Sequence, residues 1–150
     1  MYTIRFVPVA HDGVTADCIP TAATDGSAGY DLCAAVAAPV VIAPGEIVRI
    51  PSGVRVIFPD YTHFGMVASR SGLAAKFGIA LVNGIGVIDP DYTGELIMCL
   101  INHSVEPYTI NPGNRISQII FMPFIKPHTE ITQIYEETKR GDGGYGSTGN

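Results

Sequence analysis

The chain has no tryptophan, only three cysteines, few charged residues and no long apolar run. Each shortage excludes something. Without about 18 consecutive apolar residues, no segment suits a membrane-spanning helix. Charged residues make up only 15% of the chain against 47% hydrophobic, a balance that excludes disorder. Cys18, Cys33 and Cys99 are odd in number and lie far apart. They read as reduced, small packing residues of an intracellular, cytoplasmic protein, with a nuclear location left open. Met1 to Phe6 lacks the apolar core of a signal peptide. The net charge is −5 and there is no basic run, so nucleic-acid binding through phosphate contacts is not expected. A polyanionic ligand would have to meet a few placed arginines or a metal ion. His11, His63, His103 and His128 have no i, i+4 spacing and no nearby cysteine pair, which leaves zinc unsupported. Gly-x-Ser-x-Gly is also missing, and with it the serine hydrolases that use that elbow.

What is present is glycine and proline, 17 and 11 of them, spread between short β-branched runs. That spacing predicts an all-β fold, a jelly-roll-like barrel or sandwich with one short helix. Strands are expected at Tyr2–Val9, Tyr30–Ala38, Glu46–Ile50, Val54–Phe58, Tyr61–Ala68, Leu96–Ile101, Arg115–Phe124 and Ile131–Tyr135. Thr21–Ala28 reads as a loop and Thr109–Pro112 as a turn.

Three stretches invite a functional reading. In Asn83–Leu96 two apolar arms meet at Asp89-Pro90-Asp91, which supplies turn chemistry. A hairpin is expected there, with Gly94 free to take a positive φ and with Asp89, Tyr92 and unpaired backbone groups at its mouth. An ordinary turn is the plainer reading. In Ser69–Gly78, Leu73 to Lys76 are good helix formers, Ser71 suits the N-cap and Gly78 the residue past the C-terminus. Free N–H groups beside Arg70 would suit an anion; a solvated connector is the alternative. The tail, residues 140–150, holds five glycines in eleven residues and cannot fold alone. It reads either as a frayed end or as a lid, in which Arg140 clamps a phosphate and Tyr145 stacks on a base. The chain then divides into a β domain, 1–139, and a lid, 140–150. Asp31, Asp89, Arg70, Arg140 and the two tyrosines together suit Mg²⁺-assisted phosphoryl chemistry, where positioning and charge neutralisation dominate.

Five stretches, in order, resemble the five motifs of the homotrimeric dUTPases. They are Ala28-Gly-Tyr-Asp-Leu32, Ser69-Arg-Ser-Gly-Leu73, Asn83-Gly-Ile-Gly-Val-Ile-Asp-Pro-Asp-Tyr-Thr-Gly94, Gly113-Asn-Arg-Ile-Ser-Gln118 and Arg140-Gly-Asp-Gly-Gly-Tyr-Gly-Ser-Thr-Gly149. The third and fifth are specific, and five in register are far more so. The departures are Ser69 for a common Pro, Ser117 for a common Ala and Tyr145 for a common Phe.

The resemblance implies a jelly-roll subunit, three around an axis with shared active sites, and hydrolysis of dUTP to dUMP and diphosphate with Mg²⁺. By matching position, Asp89 would activate the water that attacks the α-phosphorus. Asp31 would help hold Mg²⁺ through its waters. Arg70, Ser71, Gly72 and Gln118 would grip phosphate oxygens, and Arg140, Gly146, Ser147 and Thr148 would close on the γ end. Tyr145 would stack on uracil, and Tyr92 would press on the sugar where a 2′-hydroxyl would sit. The backbone at Gly86, Val87 and Ile88, with Asn83, would match uracil's O2, N3–H and O4. A site built on such bonds rejects cytosine because buried groups are left unpaired. A related dCTP deaminase and a non-catalytic nucleotide-binding jelly roll are the two competing functions.

Overall fold

The computed structural model describes residues 2–143. In chain order the elements are β1 (Arg5–Pro8), β2 (Thr21–Ala22), β3 (Gly29–Cys33), β4 (Val40–Ile42), β5 (Ile47–Pro51) and β6 (Val54–Ile57). After them come β7 (His63–Ser69), α1 (Ser71–Phe77), β8 (Ile79–Leu81), β9 (Ile85–Ile88), β10 (Ile97–Asn102), β11 (Tyr108–Ile110) and β12 (Arg115–Pro123). The fold is all-β with one short helix, as composition suggests. A five-stranded sheet runs β2-β3-β12-β7-β9, a three-stranded sheet β5-β10-β8, and two ribbons pair β1 with β6 and β11 with β4. Every pairing among the described strands is antiparallel. The arrangement is jelly-roll-like, and among the described residues the strands form no closed barrel.

Alternation along the strands builds the core. Val54 and Val56 turn inward from β6, and Met98 and Leu100 from β10, while their neighbours face out. Leu32, Ile42, Ile50, Ile79, Ile110, Ile116 and Ile119 are fully buried with them. Each such side chain contributes roughly 1.5–3 kcal/mol by leaving water. All three cysteines are free, with Cys18 and Cys33 buried. No helix among the described residues is long and apolar enough to cross a membrane.

Several expectations need correction. The arms around Asp89 are not a hairpin. β9 pairs with β7 and β10 pairs with β5 and β8, so the chain changes sheets at the turn. Each arm reads correctly as a strand, but local pattern does not choose the partner. Gly94 is not among the glycines with positive φ; its missing Cβ serves a close approach instead. Ser71 is not the N-cap. Arg70 holds that place without a side-chain cap, since a guanidinium has no acceptor to offer the first helical N–H groups. Gly78 does end the helix, at φ 69°.

Ile131–Tyr135 is not a strand. Ile131 and Ile134 stand exposed, and among the described residues no strand pairs with this segment to reward extension. Thr21–Ala28 contains the two-residue β2, and β11 takes Thr109 and Ile110 from the expected turn, which shifts to Asn111–Asn114. The Tyr30–Ala38 strand stops at Cys33. β4 and β8 carry too few residues to show a period.

Candidate active site

β3, β7 and β12 lie side by side and bring the candidates Asp31, Arg70 and Gln118 together with Arg115. Asp31, in β3, is opposite Gln118 of β12. Arg70 follows directly on the end of β7. Its Nε donates to Asp31 Oδ1 at 2.9 Å, and its Nη1 donates to the Arg115 carbonyl at 3.2 Å. Arg115 Nη1 donates to Asp31 Oδ2 at 3.1 Å. The carboxylate, with side-chain exposure of 11%, thus holds one guanidinium on each oxygen. Charge-assisted bonds of this kind are the stronger class. Gln118 Nε2 donates to the Ser69 carbonyl at 3.2 Å. Its side chain fills the space a Cβ on Gly29 would need, with Oε1 at 2.5 Å from that position.

These residues line one cavity of about 690 Å³, with Ser71 and Gly72 on its wall. The helix start there has no side-chain cap, so its first N–H groups remain available. A Cβ on Gly72 would meet only open space, so a ligand has close access to this backbone. Arg115 is the residue that sequence reasoning missed. It sits inside the fourth motif, and a lone charge opening an apolar strand was the available signal. Cys33, its register partner in β3, has its thiol pushed up first by burial, then by Cys18 and Asp31, while the two arginines pull it down.

Asp89 and Tyr92 lie elsewhere. Asp89 is exposed and lines a separate cavity of about 490 Å³ with Tyr61, Phe124 and Lys126. Ile88 is opposite Gly65, five residues before Arg70 on β7. At about 3.3 Å per residue, Asp89 and Arg70 sit roughly 20 Å apart along the strand. Gly86, Val87 and Ile88 belong to β9, the edge of the five-stranded sheet. One row of their backbone groups therefore faces away from β7. Val87 is 59% exposed, and Asn83 Nδ2 lies 3.9 Å from where a Gly86 Cβ would be.

Tyr92 donates its N–H to the Asp89 carbonyl and its hydroxyl to the Glu95 carbonyl, each at 3.0 Å. Arg140 is exposed, and its Nε donates to the Gly143 carbonyl at 2.8 Å within its own turn. Tyr145, Gly146, Ser147 and Thr148 fall outside the described residues. One chain thus brings Asp31, Arg70, Ser71, Gly72 and Gln118 together, and sets Asn83, Gly86–Ile88, Asp89 and Tyr92 apart from them.

Among the described residues no three His, Cys, Asp or Glu side chains cluster as a metal site would require. Asp31 offers one carboxylate whose oxygens already accept from arginines. That donor set does not suit a directly ligated Mg²⁺. It does suit an ion that keeps its water, since Mg²⁺ dehydrates reluctantly and commonly takes its inner ligands from phosphates.

Comparison with known proteins bears on this geometry. The dUTPase family model matches residues 16–149. The deoxyuridine 5′-triphosphate nucleotidohydrolase of Desulfitobacterium hafniense is 44% identical over 131 residues, covering 87% of each chain. That of Legionella pneumophila strain Paris is 42% identical, covering 87% of this chain and 86% of its own. Among solved structures, the dUTPase of Staphylococcus bacteriophage 80alpha with dUPNHPP superposes with a TM-score of 0.84 over 99% of both chains, at 24% identity. A mutant dUTPase of S. aureus phage phi11, described for its coordination of a structural Mg(II) ion, gives 0.76 at 22% identity, over 90% of this chain and 99% of its own. At such identities these structures speak for the fold alone. The family model and the relatives above 40% identity speak for descent, and the chain belongs to the dUTPase family.

Proposed function

We propose that the chain hydrolyses dUTP to dUMP and diphosphate. The observation that carries this reading is the cluster of Asp31, Arg70, Arg115 and Gln118 on one cavity wall, inside a chain whose relatives bear that activity in their names. In this reading Arg70, Ser71, Gly72 and Gln118 hold phosphate oxygens. Asp31 keeps Arg70 and Arg115 aimed at the same wall. Where Mg²⁺ is bound, Asp31 accepts from its waters, and the ion neutralises phosphate charge. Asp89 orients a water and takes its proton as that water attacks the α-phosphorus, a role worth roughly 10²–10⁴-fold in rate. The free edge of β9 at Gly86, Val87 and Ile88, with Asn83, reads uracil, and Tyr92 stands at the sugar. Arg140 and the tail residues Tyr145, Gly146, Ser147 and Thr148 close over the nucleotide as a lid separate from the 1–139 domain.

A base must lie within hydrogen-bond reach of the water it activates. Asp89 and Arg70 of one chain stand at opposite ends of β7, so neither completes the other. This supports a site shared between copies in a homotrimer. The outer face of β5 and β10 supports it too. Ile47 and Ile97 are 55% and 39% exposed there, beside the half-buried Cys99 and Ile101. These apolar side chains, with the exposed Arg49 opposite Cys99 among them, form a face suited to an interface between copies. Three free thiols suit a reducing compartment such as the cytoplasm.

The test is turnover of dUTP, dCTP, dTTP and UTP with Mg²⁺, reading diphosphate and ammonia. Diphosphate from dUTP alone is expected. Ammonia from dCTP would assign a deaminase, and binding without turnover would assign a non-catalytic nucleotide binder.

A further inference from the structure

The turn that follows β9 carries Asp89 and Tyr92, and Tyr92 is held by one backbone bond and two contacts of its ring and hydroxyl. Tyr92 N–H binds back to the Asp89 carbonyl, and the hydroxyl binds forward to the Glu95 carbonyl. The ring also lies so close over Gly94 that a Cβ there would come within 2.6 Å of Tyr92 Cζ. All three contacts are internal to residues 89–95, so the ring goes wherever this segment goes. Among the described residues, the hydrogen bonds that tie this segment to the rest of the chain run through the Glu95 side chain. Its Oε1 accepts from the Gly53 N–H at 2.7 Å and from His11 Nε2 at 2.8 Å, with only 14% of the side chain exposed.

Gly53 is itself fixed. It takes φ +72°, a Cβ there would meet Ala35 Cβ at 3.0 Å, and its carbonyl accepts from Val9 N–H at 2.7 Å. One carboxylate therefore ties the turn to the β5–β6 connection and to the segment after β1. The next attachment, Leu96 N–H to the Val54 carbonyl at 3.0 Å, already lies past the turn.

We propose that Glu95 is the positioning residue for Tyr92 and thereby sets the preference for deoxyribose over ribose. The inference rests on the reading that Tyr92 stands at the sugar. Glu95 touches no substrate. It acts by denying the turn the small outward shift that would make room for a 2′-hydroxyl. A residue that only stabilised the fold would lower turnover of every substrate by one factor. A positioning residue changes the ratio between substrates.

The experiment measures kcat/KM for dUTP and for UTP with Mg²⁺ on the full chain, for wild type, Glu95→Ala, Glu95→Gln, His11→Ala and Tyr92→Ala. Glu95→Ala should lower the dUTP to UTP ratio about tenfold, the scale of one lost hydrogen bond to a charged group. Glu95→Gln keeps an acceptor for Gly53 and should restore most of the ratio. His11→Ala leaves the Gly53 bond in place and should lower it about threefold. An unchanged ratio in Glu95→Ala, with both substrates slowed equally, overturns the proposal. Should Glu95→Ala not fold, an unchanged ratio in His11→Ala overturns it instead. Tyr92→Ala separates the two layers. If it leaves the ratio unchanged, the sugar assignment itself fails. If it relaxes the ratio while Glu95→Ala does not, only the role of Glu95 fails.

Discussion

The two parts of the candidate site are built in opposite ways. Around Asp31 three neighbouring strands converge, and two guanidinium groups share one carboxylate. That geometry holds itself together by opposite charge before any ligand arrives. Around Asp89 and Tyr92 a single turn leaves an edge strand, its side chains exposed, and its shape depends on Gly94 and on the Glu95 carboxylate that ties it to Gly53. The difference suits the tasks assigned to each. A wall that meets phosphates needs fixed positive charge. A turn that judges a base and a sugar needs shape, and main-chain groups supply shape without long, mobile side chains. The first region should therefore respond to mutation in stability as well as activity, and the second in chemistry and selectivity alone.

The sharpest separation should come from Asp89→Asn. Asp89 is exposed and has no side-chain hydrogen bond among the described residues, so the fold loses nothing. We expect kcat to fall roughly 10²–10⁴-fold, while affinity for a non-hydrolysable dUTP analogue, read by calorimetry, stays within about threefold. Loss of binding in step with turnover would return Asp89 to a structural role.

Asp31→Ala should do the reverse in kind. Removing the carboxylate leaves Arg70 and Arg115 side by side without a counter-charge. Two charge-assisted bonds are lost, discounted because both arginines are partly solvated. The expected loss is about 1–2 kcal/mol, a Tm lowered by about 3–8 °C for a chain of this size. The KM for dUTP should rise about tenfold or more. An unshifted Tm would mean that the ion pairs do not organise the wall.

Gly94→Ala tests the turn from inside. The backbone there tolerates alanine, since φ is not positive, but Tyr92 must swing away from the new Cβ. Selectivity for dUTP over UTP should drop about tenfold, with Tm changed by less than about 2 °C. A large fall in Tm with selectivity intact would erase the contrast between the two regions.

These contrasts also explain what sequence alone could and could not show. Short β-branched and apolar runs between glycines and prolines exposed β6, β7, β10 and β12, because each buries apolar side chains against the core. β4 and β8 were hidden, having three residues each. Gly78 was legible because only a left-handed residue ends the helix that way. Ser71 misled because its local grammar fits an N-cap, while the structure makes Ser71 the first helical residue and leaves the cap position to Arg70. The turn at Asp89 was legible as a turn, but its partner strands come from β5, β7 and β8, which no local pattern names. Asp31 and Arg70 stood out by motif. Arg115 did not, because its meaning depends on β12 lying beside β3.

The smallest effect belongs to Ser117, which sits between the candidate Gln118 and the core. Alternation turns Gln118 toward the cavity and Ser117 away from it, fully buried, opposite Leu32 and Ser69. Its hydroxyl is the buried side-chain polar atom without a hydrogen-bond partner among the described residues. An unpaired buried hydroxyl costs about 1–3 kcal/mol. Ser117→Ala removes that cost and leaves a void of one oxygen, which returns part of the gain. The net expectation is a gain of about 0.5–1 kcal/mol, or a Tm higher by about 1–4 °C, with kcat and KM for dUTP unchanged. A lower Tm would mean that the hydroxyl is satisfied when copies of the chain assemble. The packing behind the phosphate wall would then depend on a neighbour, as the turn's chemistry does in the proposed shared site.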